Sequence, residues 1–202
     1  MTLPGRGDTN PVMQPLRLEV VIASTRPGRV GWPIGSWFLE RARAHGRFDV
    51  GLVDLKELAL PMLDEPKHPR LGQYEHEHTK RWSATVKAAD AFVFVTPEYN
   101  TGTPPALVNA LDYLHAEWGY KPVAFVSYGG VSGGTRSAQM TKQIVTTLRM
   151  VPLFEAVQIP FVTKYIGDNG AFQTNETFDN AAKAMLDELH RWAEALKPMR
   201  KG

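Results

Sequence analysis

Leu16-Arg17-Leu18-Glu19-Val20-Val21-Ile22-Ala23, followed by Ser24-Thr25-Arg26-Pro27-Gly28-Arg29-Val30-Gly31, joins an apolar, β-branched run to a helical pattern. The run VVIA is what a strand buried on both faces requires. From about Trp32 to His45 the period changes to 3.6, with Ile34, Trp37, Phe38 and Arg41 at turn spacing. Strand, glycine-containing loop and helix in this order make the first half of a βαβ unit.

The same unit recurs along the chain. Strands are expected at Phe48–Asp54, Ala91–Thr96, Pro122–Ser127 and Leu153–Ile159. Helices are expected over about Gln73–Ala88, Pro105–Leu114, Thr135–Met150 and Thr174–Lys197. The last helix carries Phe178, Ala181, Met185, Leu189 and Trp192 as its expected core stripe. Lys56–His78 is proline-bearing, irregular and long for a connection. Five strands alternating with five helices imply an α/β fold, a parallel sheet with helices on both faces. Residues 16–198 read as one domain, and 1–15, rich in Gly, Pro and polar residues, as a tail or an arm for a partner subunit.

Composition narrows the chemistry. The 202 residues are 43% hydrophobic and 22% charged, with a net charge of +2, so nothing global calls for nucleic acid or an acidic membrane. No apolar stretch is long enough to insert in a bilayer, and no signal peptide is legible. The absence of cysteine excludes disulfides, thiolate metal sites and a catalytic thiol, and fits a cytoplasmic setting.

In an open α/β sheet, ligands bind beyond the carboxyl ends of the strands. Three loops there are unusual. Ser24–Gly31 leads into a helix amino terminus whose N–H groups and dipole favour an anion, with two hydroxyls and two arginines beside it. Neither the GxxxxGK[ST] nor the GxGxxG spacing is present. Thr96–Pro105 sets Tyr99, an amide and three prolines around a rigid turn, suited to a planar ring or simply to a helix start. Ser127–Arg136 has four glycines in Gly129–Gly134, either a nest for partial negative charge or a flexible cap. Together they suit a ligand with phosphate at one end and a planar polar ring at the other.

Ser24-Thr25-Arg26, Pro97-Glu98-Tyr99-Asn100 with Pro104–Asp112, and Ser127–Gly130 with Gly133, Gly134 and Arg136 resemble the NADPH-dependent FMN reductase family, over about Arg17–Glu155. The resemblance implies a flavodoxin-like three-layer sandwich with strand order 2-1-3-4-5. It implies non-covalent FMN, NADPH or NADH as co-substrate, and a small acceptor such as a quinone served by ping-pong kinetics. Chromate, azo compounds and free flavin are further acceptors in this group. It also implies a homodimer or homotetramer. Carried over by position, Ser24, Arg26 and the backbone of Arg29, Val30, Gly31 and Trp32 bind the phosphate. Pro97, Glu98, Tyr99 and Asn100 line the isoalloxazine. Ser127, Tyr128, Gly129, Gly130 and Ser132 meet its pyrimidine edge, with the Gly129 and Gly130 N–H groups stabilising negative charge there. The family often has a small hydroxyl three positions after the arginine; Arg29 stands there, either as a charged substitute or turned to solvent. No side-chain acid or base is required, since the flavin carries the chemistry. The alternatives are a flavodoxin-type electron carrier and a non-enzymatic FMN-binding protein.

Two other clusters stand out. In Glu75-His76-Glu77-His78, the imidazoles diverge on a helix and converge on a strand; the solvated helix start is the expectation, with no metal. His115, Glu117, Trp118 and Tyr120 follow the Pro105 helix and are expected to border the acceptor pocket or a subunit interface. Trp32 and Trp37 are read as packing residues.

Overall fold

A computed structural model describes residues 15–200; the expected tail or arm over 1–15 lies, but for Pro15, outside the described residues. Five strands form one sheet in the order β2-β1-β3-β4-β5. They are β1 (Leu16–Ile22), β2 (Phe48–Asp54), β3 (Ala91–Pro97), β4 (Pro122–Tyr128) and β5 (Val151–Ile159). All four pairings are parallel, with Val20 opposite Leu52 on one side and Val93 on the other. The flavodoxin-like architecture expected from the sequence is therefore the one observed.

Alternation along each central strand feeds two cores. Leu18, Val20, Val93, Val95, Ala124 and Val126 face α1 (Gly31–His45) and α6 (Glu176–Leu196). Val21, Phe92, Phe94, Val123 and Phe125 face α3 (Glu77–Ala88), α4 (Pro105–Asp112) and α5 (Thr135–Thr147). Because β1 and β3 are neighbours whose following helices go to opposite faces, their carboxyl ends open a crevice.

Several expectations shift. A short helix α2 (Leu55–Leu58) follows β2 directly, and α3 begins at Glu77 rather than near Gln73. On α6 the buried stripe is Phe178, Ala182, Met185, Leu186 and Leu189; Trp192 is 40% exposed and lies off it. Trp37 packs as expected against Phe38 and Phe172, whereas Trp32 is 47% exposed. No helix among the described residues is long and apolar enough to cross a membrane.

Candidate functional site

The carboxyl edge gathers the three loops. Ala23 donates to the Val95 carbonyl at 3.0 Å, fixing the first loop beside β3, and Glu98 N–H donates to the Tyr128 carbonyl at 3.2 Å, fixing the second beside β4. Gly129 N–H donates to the Ile159 carbonyl at 3.2 Å, fixing the third beside β5.

The first loop ends in α1, whose N-cap, Val30, offers no side-chain cap and whose first turn holds no acidic residue. The amino terminus of the helix dipole is therefore uncompensated. Two hydroxyls sit against it. Ser24 (1% exposed) and Tyr128 (3% exposed) are buried, and neither Ser24 Oγ nor Tyr128 Oη has a hydrogen-bond partner. They converge on Gly31: a Cβ there would overlap Ser24 Oγ and lie 2.5 Å from Tyr128 Oη. Burial pushes the Tyr128 phenol above its ordinary value, so it stays a proton donor at neutral pH. Arg26 is exposed at the loop surface. A buried polar atom without a partner is costly unless a ligand completes it, and this set of donors fits a phosphate monoester.

The Arg29 side chain is not turned to solvent. Its guanidinium grips Asp54 at the end of β2, Nη1 to Oδ1 at 2.6 Å and Nη2 to Oδ2, and also donates to the Ser24 carbonyl. The side chains are 10% and 6% exposed, so the guanidinium is buried in this pair. Asp54 Oδ1 also caps α2 through Lys56 N–H at 3.0 Å. Burial pushes the Asp54 carboxyl up, but Arg29 and the Lys56 N–H outweigh it and hold it below the usual carboxylate range. The sequence carried no signal for this partner, which lies 25 residues away on another strand.

In the second loop, Tyr99 N–H donates to the Gly102 carbonyl at 3.1 Å and Gly102 N–H to the Tyr99 carbonyl at 2.9 Å. Asn100 (φ 48°) and Thr101 (φ 65°) are the left-handed centre of this turn. Pro97 is buried, Tyr99 half-buried and Asn100 exposed. Glu98 points across to the third loop. It accepts from Ser132 Oγ at 2.8 Å and from Arg136 through N–H and Nη1, each at 3.1 Å. Burial pushes Glu98 up, but Ser132 and Arg136 together hold it below its ordinary value.

The third loop departs from three expectations. The Gly129 N–H is committed to Ile159, while the N–H groups of Gly130, Val131 and Ser132 have no backbone partner among the described residues. Tyr128 sends its side chain to the first loop rather than staying at the third, and Ser127 Oγ is spent on the Gly133 carbonyl at 2.9 Å. Gly134, at φ +80°, has no room for a Cβ, which would lie 2.5 Å from Tyr128 N.

A cavity of about 440 Å³ opens at this edge among Thr25, Leu55, Met62, Pro105 and Ala106. A larger one, about 700 Å³, lies at the opposite edge of the sheet. His115, Glu117 and Tyr120 line that second cavity, because the α4–β4 connection carries the chain back to the amino ends of the strands. They do not border the carboxyl-edge loops. Trp118 is 1% exposed and packs on Trp82 and Phe92, so it is core rather than interface. His76 is the extended N-cap of α3, so its ring stacks on His78 at 5.2 Å instead of diverging. Both Nε2 atoms meet Asp64, at its carbonyl (3.2 Å) and its carboxylate (3.0 Å).

Comparison with known proteins converges on one group. A family model described as NADPH-dependent FMN reductase matches residues 16–164. An NAD(P)H-dependent FMN reductase of Schizosaccharomyces pombe is 41% identical over 148 residues, 71% of this chain and 74% of its own. A quinone reductase of Pseudomonas putida is 38% identical over 131 residues, 58% of this chain and 66% of its own. Among solved structures, the flavoenzyme NAD(P)H:(acceptor) oxidoreductase of Paracoccus denitrificans superposes with a TM-score of 0.69 at 20% identity, over 89% of this chain and 98% of that one.

Proposed function

The chain belongs to the NADPH-dependent FMN reductase family, and from that premise we propose that it is an NAD(P)H-dependent reductase holding FMN non-covalently across its three carboxyl-edge loops. When bound, FMN would supply the redox chemistry, hydride transfer between a reduced nicotinamide and a small acceptor, a quinone first of all.

The observation that carries this reading is the pair of buried, unpartnered hydroxyls of Ser24 and Tyr128 at the uncapped start of α1. Both hydroxyls donate to the phosphate. Gly31 leaves the space, and the Gly31 and Trp32 N–H groups complete the cradle. Arg26 adds a guanidinium from the rim, while Arg29 acts at one remove by pinning the loop to Asp54. Pro97 and Tyr99 wall the ring. The Gly130, Val131 and Ser132 N–H groups face its polar edge and stabilise negative charge there, and the Glu98 clasp holds the second and third loops in register. A cytoplasmic homodimer or homotetramer completes the proposal.

Absorbance of the purified protein tests it. The reading expects flavin bands, bleaching by anaerobic NADPH or NADH, recovery on adding a quinone, and parallel initial-rate lines. Protein that binds added FMN but is not bleached is an electron carrier. Protein that binds no FMN is neither, and overturns the reading. Sedimentation as a monomer overturns the oligomer alone.

A further inference from the structure

At the amino ends of the strands, the end of α3, the α4–β4 and α5–β5 connections and the last turn of the described chain enclose the cavity of about 700 Å³. It lies roughly 20 Å from the flavin loops, the length of a seven-residue strand. Six cationic side chains line it: Arg70, Lys87, Lys121, Arg149, Lys197 and Arg200.

Among the described residues two carboxylates line the cavity, and both are engaged. Asp90 accepts from Arg17 N–H at 2.9 Å and from Arg200 Nη2 at 2.9 Å, and faces Lys197 at 3.5 Å. Glu117 accepts from Ser83 Oγ at 2.7 Å and Tyr74 Oη at 2.9 Å, and lies 3.9 Å from Lys87. Lys121, 4% exposed, stands behind them, its ammonium donating to the Val86 and Lys87 carbonyls at 2.5 and 3.2 Å. Burial, with Arg200 nearby, lowers Lys121 to about 8, so it remains a cation at neutral pH. Arg70 and Arg149 have no ion-pair partner among the described residues. His115 between them is pushed down by burial and then by these two arginines, which reports the same uncompensated field.

The backbone places two of the lining residues side by side. Tyr120 (φ 58°) and Arg149 (φ 61°) are side by side in the left-handed region, Tyr120 N–H donating to the Arg149 carbonyl at 2.8 Å. Glycine takes this conformation without a steric penalty. Both positions instead carry large side chains, and both line the cavity. At Arg149 the conformation closes α5 as a helix cap, with Arg149 N–H donating to the Thr146 carbonyl and Met150 N–H to the Val145 carbonyl, each at 3.0 Å, and this cap sets the Arg149 side chain at the cavity.

We propose that this cavity is a second binding site, for a small multivalent anion of the phosphate class, with Arg149 and Arg70 as its free guanidinium donors. Planar guanidinium groups match phosphate oxygens, and the cationic excess supplies the long-range attraction. Tyr120, Leu148 and Met199 give the cavity an apolar wall on which the body of a phosphorylated organic molecule rests.

The test is calorimetric titration of the FMN-loaded protein with inorganic pyrophosphate and, separately, with ADP. Saturable binding that weakens with salt is expected. Tighter binding of ADP assigns the site to a nucleoside phosphate, and equal binding assigns it to the phosphates alone. Arg149→Gly removes the guanidinium and relieves the left-handed strain. It should lower affinity about tenfold, the loss of one charge-assisted contact, with thermal stability equal or higher. Arg70→Ala should do the same to affinity. FMN binding, at the other edge, should be unchanged in both. No saturable binding of either probe, or Arg149→Gly binding both as tightly as the parent, overturns the proposal.

Discussion

Arg29 and Asp54 face each other fork to fork, Nη1 2.6 Å from Oδ1 and Nη2 against Oδ2, and so tie the loop after β1 to the end of β2. The same guanidinium donates to the carbonyl of Ser24, the residue whose hydroxyl is assigned to the phosphate. An ion pair in the wall of the site thus sets the position of a ligand donor.

Arg29→Met should therefore cost both stability and cofactor. With side chains 10% and 6% exposed, leaving Asp54 unpaired should destabilise the protein by about 3 kcal/mol. FMN affinity should fall by about tenfold. Arg29→Met/Asp54→Leu should recover most of the stability, because no buried charge is left over, but not the affinity. Urea unfolding and flavin-fluorescence titration read the two effects separately.

Acid should remove the same contribution. Asp54 is held below its ordinary value in the folded protein, so the pair's stabilisation is present above the unfolded carboxylate pKa of about 4. It is lost as pH falls through the lower folded value. The stability difference between the parent and Arg29→Met should be largest at neutral pH and shrink on acidification, first as the unpaired, burial-raised Asp54 of the variant protonates and then as the parent's does. A difference that grows on acidification would contradict the assignment.

Glu98 performs the corresponding task between the second and third loops, holding Ser132 and Arg136. Glu98→Gln keeps one acceptor oxygen and the side-chain volume but loses the charge. FMN affinity should fall by roughly threefold to tenfold, with melting temperature little changed because Arg136 is exposed. Unchanged affinity would reduce the clasp to a surface contact.

The five strands, the three loops and the helix amino terminus behind the first of them were legible because they are local: a buried β-branched run, a glycine-bearing turn and a change of period occupy adjacent residues, whereas the strand order came from the family resemblance alone. What was not legible is long-range. Arg29 meets Asp54 across 25 residues, Glu98 meets Arg136 across 38, and the Tyr128 hydroxyl crosses under the sheet edge to Ser24. Asn100 looked like a ligand group, yet its left-handed φ makes it a turn residue as well. Trp118 looked exposed because its neighbours are polar, whereas the fold turns it into the core beside Trp82.

Gly31→Ala tests the cradle by filling it. The added Cβ would overlap Ser24 Oγ and sit 2.5 Å from Tyr128 Oη. The helix itself would welcome alanine, but overpacking of about 1–3 kcal/mol opposes that gain. FMN affinity should fall by tenfold or more, about 1.4 kcal/mol. Flavin content after purification measures this directly, and a fully loaded Gly31→Ala protein would move the phosphate elsewhere.

Tyr128→Phe and Ser24→Ala separate ligand binding from folding by the sign of their effects. Each hydroxyl is buried and has no protein partner, so removing it deletes an uncompensated polar group. The apoprotein should be as stable as the parent or more so, by up to about 1 kcal/mol. With FMN bound, the same hydroxyls donate to the phosphate, and each loss should weaken binding by about tenfold. The two substitutions share one partner, so the double variant should lose less than the sum of the single effects. Thermal melts with and without FMN give both signs in one experiment. A purely structural hydroxyl would lower apoprotein stability and leave the cofactor's added stabilisation intact. A phosphate donor does the reverse, since the stabilisation conferred by a ligand scales with its affinity.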